Sequence, residues 1–435
     1  MPLQTRRLLF YSLVLLFIIL GFIIVFYSRG WRLSAENCRA LQLLNCSIKF
    51  EKTGAIFLET KPRDVIIRLN EKLFKDKSGL IQSGTLIDDL LPANYKLKIE
   101  KDGFLSWEKN IIVKPGMVAE AKNALLIPKE IKKEVINISK IRGDVIIAVS
   151  RGGEKFILKD SKKNIYYLYD IKDLSVAYNI NLKLKNLKGA ASIRKVDFYP
   201  FDSDKLITET EAELGTLDIL RGEYRTVRKE AFFLWTTKSA GLYYLNELEG
   251  KKADYVISLY NLVLQSDNKL ADFSLSGNIS AKPIKFEVDK EEKRAAFLTV
   301  SGELYIAEFS TNNAKKMKSG VTDFSFSEDG KKMAILEKGE LSILFLEDSD
   351  INNRKHAGEN ASLPSLRPVS GMRWHKDSLH LFLEGKDGVD FEEIDDRPNV
   401  NIFPLITENK FSFAYEPQSN FGYLLIDKLY RFSLE

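Results

Sequence analysis

Few residues in this chain have side chains suited to chemistry. Three histidines, His356, His375 and His380, and two cysteines, Cys38 and Cys46, are its nitrogen and sulfur metal ligands. A zinc site of those types needs four of them in short paired spacings, and these five do not pair that way, so no metal is expected. Asp202 and Asp204, and again Asp348 and Asp350, form Asp-Ser-Asp pairs that would suit calcium. A calcium loop needs five or six ligands at fixed positions plus a glycine, and the better reading is a pair of Asx-turns. The chain also lacks the Gly-x-Ser-x-Gly nucleophile elbow, the His-Glu-x-x-His zinc motif and the phosphate-binding P-loop. The expectation is therefore no enzyme, no catalytic residue and no cofactor.

Charge excludes another class. The 65 basic residues nearly cancel the 60 acidic ones, leaving +5. Lysines alternate with glutamates along the chain, whereas a nucleic-acid partner would require a basic stripe on one face.

The elements that carry these residues begin with an apolar run. Leu8 to Tyr27 holds 20 residues without a charge. A helix of that length spans about 30 Å, the thickness of a bilayer's hydrocarbon core. Tyr27 and Trp31 fall where interfacial aromatics sit. A cleaved signal peptide would have an apolar region of about 7–15 residues and a small-x-small cleavage site. Here bulky Phe26, Tyr27, Arg29 and Trp31 follow instead, which predicts an uncleaved anchor. Charge does not orient it, since Arg6 and Arg7 precede the run while Arg29, Arg32 and Arg39 follow.

The remainder reads as strands. Tyr95, Leu97 and Ile99 alternate with Lys96, Lys98 and Glu100, the period-two pattern of a half-buried strand. Val65, Ile67 and Leu69 share a face in the same way, as do Trp107, Ile111 and Val113. Turn chemistry at 61–64, 92–94, 101–103 and 114–116 separates the runs. From 131 onward a cassette recurs: an aromatic strand, an acidic turn, a second strand, a turn and an apolar strand. FSFSEDGKKMAILEKGELSILFLED (324–348) is matched closely by FEVDKEEKRAAFLTVSGELYIAEFS (286–310) and more loosely by MRWHKDSLHLFLEGKDGVDFEEID (372–395). Seven cassettes in residues 131–435 average about 44 residues, the size of a four-stranded propeller blade. Asp348 to Gly371 separates two cassettes and reads as a long loop suited to binding.

Two family resemblances follow from these stretches. Residues 53–128, through GAIFLETKPRDVIIRLN, TLIDDLLPANYKLKIEKDGFLSW and IIVKPGMVAEAKNALLIP, resemble the PEGA domain, a small β-sandwich of extracytoplasmic bacterial and archaeal proteins. Residues 135–435 resemble the propellers of the Tol translocation protein and the dipeptidyl-peptidase group. Their marker, aromatic-x-Pro-Asp-Gly-x-x-Leu-Ala-Phe, is best kept from Phe326 to Leu336. The PEGA resemblance implies an interaction or spacer module lying outside the cytoplasm, with no active site.

The expected architecture is an all-β chain. It has a cytoplasmic head (1–7), a transmembrane helix (8–27), a juxtamembrane segment (28–52), a PEGA-like β domain (53–128) and a β-propeller of about seven blades (131–435). Its expected role is that of a non-catalytic binding protein, anchored in the cell membrane by residues 8–27 and lying mostly outside the cytoplasm. The expected partner is a protein, a peptide or an envelope glycan. A structural scaffold of the cell envelope is the alternative, and a hydrolase the least favoured reading. Cys38 and Cys46 are a disulfide candidate in an oxidising compartment. A continuous helix would hold their Cα atoms about 12 Å apart, and a bridge needs roughly 4.4–6.8 Å. The bond thus requires a turn near 39–45, and a helix packed through Leu41, Leu43 and Leu44 is the alternative.

Overall fold

A computed structural model describes residues 3–36, 47–78, 83–138, 140–173, 177–188, 192–229, 234–239, 241–247, 254–274, 282–311, 313–350 and 354–434. Helix α1 (Leu3–Ser28) is apolar on every side and exposed along almost its whole length. Its 26 residues span about 39 Å at 1.5 Å each, enough to cross a bilayer. Such a helix satisfies its own backbone, which lipid demands of any spanning segment. At its C-terminal end the Arg32 guanidinium lies 3.5 Å over the Tyr27 ring and donates to the Tyr27 carbonyl. Arg32 also pairs with Asp89 at 2.6 Å, tying the helix end to the β structure that follows. Strands Trp31–Glu36 and Ser47–Lys52 form an antiparallel pair. Cys38 and Cys46 lie between them, outside the described residues.

Two sheets then pack on one core. In the first, Gly54–Lys61 lies between antiparallel Thr85–Leu90 and parallel Val118–Leu125. The second runs Lys72–Lys75, Ile66–Leu69, Ala93–Glu100 and Trp107–Val113. Ile56, Leu58, Ile67, Leu97, Ile99, Trp107 and Ile111 meet between them. The alternation in Trp107–Val113 has a consequence: it places Lys109, in phase with Trp107 and Ile111, on the buried face.

Seven four-stranded antiparallel sheets follow in chain order. The first six span residues 145–179, 195–228, 234–274, 283–318, 321–363 and 371–406. The seventh combines residues 412–432 with Glu134–Ile136 as its edge strand. The residues between strands supply tight turns, and both faces of most strands are apolar because each sheet packs on its neighbours.

The expected β-propeller of about seven blades is corrected here. Among the described residues, hydrogen bonding divides the strands into ten separate open sheets, none of them closed or curled on itself. The fold is an all-β, mostly antiparallel array with one N-terminal apolar helix. Cassette spacing specified a four-stranded unit; it carries no information about closure, which depends on strand tilt and edge pairing. Two local corrections accompany it. Asp348–Gly371 is not simply a loop, because Asn360–Leu363 is a strand pairing with Glu340–Phe345, and Ser349 bridges Lys355. Helix α2 (Ile180–Lys188) interrupts the strands and buries Ile180 and Leu184, one turn apart.

Candidate functional site

The sixth sheet differs from its neighbours at one hairpin. In the fifth sheet, Ser327 and Lys332 close the turn: the Ser327 N–H donates to the Lys332 carbonyl at 2.9 Å, and the Ser327 hydroxyl accepts the Lys332 N–H at 2.9 Å. The Lys332 ammonium pairs with Asp329 at 2.6 Å. The first sheet repeats this with Ser150 and Lys155, and the fourth with Asp289 and Arg294. In the sixth sheet, His375 and His380 stand at the two closing positions, and the His375 N–H donates to the His380 carbonyl at 2.9 Å. An imidazole cannot reach back to cap the turn as serine does. Asp377 does so instead, its Oδ1 accepting the N–H groups of Leu379 (2.8 Å) and His380 (3.1 Å).

Asp377 Oδ2 then faces both imidazoles, with Nδ1 of His380 at 2.7 Å and Nδ1 of His375 at 3.0 Å. Only the first is aligned as a hydrogen bond, and His375 Nδ1 has no hydrogen-bond partner among the described residues. Both rings are buried, among Phe382, Phe391 and Tyr415; the His380 ring stacks on Phe391 at 4.9 Å. Burial pushes the Asp377 carboxyl up, but His380 and His375 more than offset it and hold it far below the carboxylate range. Burial pulls the His380 imidazole down, but Asp377 outweighs that and raises it. These three side chains place one ligand atom each within 4.8 Å of one another, a grouping able to hold a metal ion.

Behind the hairpin, the strand Gly388–Glu393 ends on two buried acids where the fifth sheet has Leu344 and Phe345. Glu393 is fully engaged. It accepts from Trp107 Nε1 at 2.8 Å and Asn401 Nδ2 at 2.8 Å, and it pairs with the buried Lys109 ammonium. Lys109 also donates to the Asp395 carbonyl at 3.0 Å, and Arg397 donates to the Glu120 carbonyl at 2.8 Å. This network docks residues 54–125 on the sixth sheet. Glu392 has no such partners. Both its oxygens are buried without a hydrogen bond among the described residues, and burial with Glu393 and Asp390 nearby pushes its carboxyl up to about 9.

A separate cavity of about 810 Å³ opens where five sheets come together. Arg151 lines it from the first sheet; Phe198, Tyr199, Phe201 and Asp202 from the second; Lys238 from the third. Lys290 and Glu292 reach it from the fourth, and Gln418 from the seventh. Phe201 is 53% exposed, a large apolar side chain left in a polar rim. A crevice of about 950 Å³ between α1 and the strands Trp31–Glu36 and Ser47–Lys52 is walled mostly by the apolar helix itself.

The other residues singled out by sequence do not converge. Asp202 Oδ1 accepts the Asp204 N–H at 3.0 Å, an Asx-turn, and Asp204 itself pairs with Lys155. Asp348 Oδ1 accepts the Ala357 N–H at 2.9 Å, and Asp350 lies 3.6 Å from Arg354 at the surface. His356 is exposed, 3.5 Å from Asp348. Sequence reasoning missed the His375, Asp377 and His380 cluster because their spacing brings three ligands together only on a hairpin. Aligning the loose cassette 372–395 on 324–348 sets His375 and His380 against Ser327 and Lys332, and that would have exposed them. Lys109 was legible too, as a charge in phase with buried residues of an alternating strand.

Fold and site define an all-β, mostly antiparallel protein with one N-terminal apolar helix long enough to cross a membrane. No protein-family model matches the chain, and no curated protein matches it. Among solved structures, it is weakly similar to hydrazine synthase of Kuenenia stuttgartiensis. That similarity has 12% identity and a TM-score of 0.45, covering 66% of this chain and 93% of that one. The β-propeller domain of Cps50 (Swd1) from Myceliophteria thermophila gives 10% identity and a TM-score of 0.44, covering 70% and 100%. An oligogalacturonate lyase in complex with manganese gives 15% identity and a TM-score of 0.48, covering 67% and 90%. These are distant, mostly β-strand likenesses, and they carry no argument about ligand or activity.

Proposed function

We propose that the chain is a membrane-tethered binding protein with no catalysis of its own. In this reading α1 is the anchor, residues 53–128 are a PEGA-like spacer outside the cytoplasm, and the sheet array presents a ligand site. The observation that carries it is the five-sheet cavity. Arg151, Lys238 and Lys290 supply donors, Asp202 and Glu292 supply acceptors, and Phe198, Tyr199 and Phe201 supply flat apolar faces. Few convergent polar groups around aromatic faces suit a peptide or glycan, which offers both hydrogen bonds and apolar surface. Five separate sheets position these groups, so the site is held on a rigid frame.

A photo-crosslinking residue placed at Phe201 in the full chain, in its native membrane, tests this. The expected result is a discrete adduct that disappears on Lys238→Ala with Lys290→Ala and is absent when the probe sits at exposed Ile112. Equal adducts at both positions, or none at 201, would overturn the reading.

A further inference from the structure

His375 Nδ1 is buried and has no hydrogen-bond partner among the described residues. Tyr415 Oη accepts the Lys376 N–H at 3.1 Å and donates to Asn420 Oδ1 at 2.8 Å. That makes Asn420 Oδ1 an acceptor, and His375 Nε2 lies 3.1 Å from it. Nε2 therefore carries the ring proton, because an oxygen acceptor needs a donor opposite it. Nδ1, at the other side of the ring, lies 3.0 Å from Asp377 Oδ2 without the alignment of a hydrogen bond. The ring is 1% exposed, so bulk water does not complete its bonding. An unpaired buried polar atom is costly.

The comparison with other hairpins sharpens this. Lys332, Lys155 and Arg294 bring a permanent cation to the same position, and each meets a carboxylate. His380 reproduces that pair with Asp377 at 2.7 Å, which leaves His375 over. The sixth sheet has two imidazoles where its neighbours need one cation.

We propose that His375 Nδ1, Asp377 Oδ2 and His380 Nδ1 form a binding site for a divalent transition-metal ion of the zinc type. Two imidazole nitrogens and a carboxylate oxygen are a donor set zinc accepts, with bonds of about 2.0–2.2 Å. Tetrahedral ligands at that distance lie about 3.3 Å apart. The two carboxylate–imidazole separations of 2.7 and 3.0 Å thus need to open by only a few tenths of an ångström, and the two imidazole nitrogens already lie within 4.8 Å of each other. On binding, the ion takes the place of the proton on His380 Nδ1, which leaves to solvent. A fourth position is left for water, and the Asp377 side chain, 18% exposed, marks the way in. The Asn420 contact at Nε2 is the outer-shell partner that fixes the tautomer of a ligating histidine.

The test uses the full chain, made without a polyhistidine tag, purified in detergent and stripped with EDTA. Zinc chloride is titrated against a chromophoric chelator, and bound metal is counted by elemental analysis. One equivalent per chain is expected, with a thermal transition raised by several degrees as binding to the native state requires. His375→Ser with His380→Lys copies the hairpin of the fifth sheet. It should unfold near the wild-type temperature in EDTA, yet retain less than a tenth of an equivalent. His356→Ala, at the exposed histidine, should bind as wild type does. Less than a tenth of an equivalent on the stripped wild-type chain would overturn the proposal. So would full binding by the double variant, or loss confined to His356→Ala.

Discussion

The hairpins at 327–332 and 375–380 occupy the same place in adjacent sheets, and Ser378 links them by accepting the Asp329 N–H at 2.8 Å. In the first, serine caps the turn, and Asp329 accepts from the Ser327 hydroxyl, the Lys331 N–H and the Lys332 ammonium. In the second, aspartate performs both the capping and the pairing, and a histidine is left with an open nitrogen. The contrast continues one strand further in, where Leu344 and Phe345 of the fifth sheet face Glu392 and Glu393 of the sixth. A hairpin that serves only stability needs no surplus acceptors, since buried polar groups are costly unless satisfied. The sixth sheet carries several, and two of its groups, Glu393 and Asp395, meet Lys109 outside the array.

Lys109 gives the largest expected effect. Lys109→Met leaves Glu393 buried without its cation and should cost about 3–5 kcal/mol of stability, read by denaturant unfolding. Adding Glu393→Phe, the residue of the fifth sheet at that position, should recover more than half the loss. A single variant as stable as wild type would show that the docking network contributes little.

Glu392 comes next. Its folded pKa of about 9 lies above the ordinary 4.5, so the native chain holds a proton that the unfolded chain releases. Its contribution is therefore fully present at low pH and is lost as pH rises from about 4.5 through 9, by on the order of 1 kcal/mol per pH unit. Glu392→Leu, matching Leu344, should flatten this slope and raise stability most at pH 8. A parallel pH profile in wild type and variant would contradict the assignment.

The smallest effect separates the two aspartates. Asp329→Asn weakens the Lys332 pair and should cost about 1–2 kcal/mol, the same with zinc as with EDTA. Asp377→Asn should cost a similar amount in EDTA and clearly more with zinc present, measured by urea melts of both. An equal zinc response in the two variants would erase the contrast between the hairpins.

How much of this was legible in the sequence follows from what each pattern encodes. Period-two alternation reports which face is buried, and it pointed to the strands Ile66–Leu69, Ala93–Glu100 and Trp107–Val113. The apolar run gave α1. Alternation is silent on how sheets meet, so the propeller expected from cassette spacing was a statement about units and not about closure. The strand Asn360–Leu363 hid in a polar segment because it is short and only its alternate residues, Ala361 and Leu363, are buried. Helix α2 carries its buried residues on a single turn, too few to set a 3.6-residue period against the lysines around them. His375, Asp377 and His380 were visible as letters, but their convergence depends on a turn in which Ser378 takes a left-handed φ of 58°.

The most direct measurement is X-ray absorption at the zinc edge on the full chain loaded with one equivalent. The account predicts a first shell of two imidazole nitrogens and one or two oxygens at about 2.0–2.2 Å, lost in the His375→Ser, His380→Lys variant. A shell of oxygens alone, or an unchanged spectrum in that variant, would place the ion elsewhere and return the hairpin to a purely structural role.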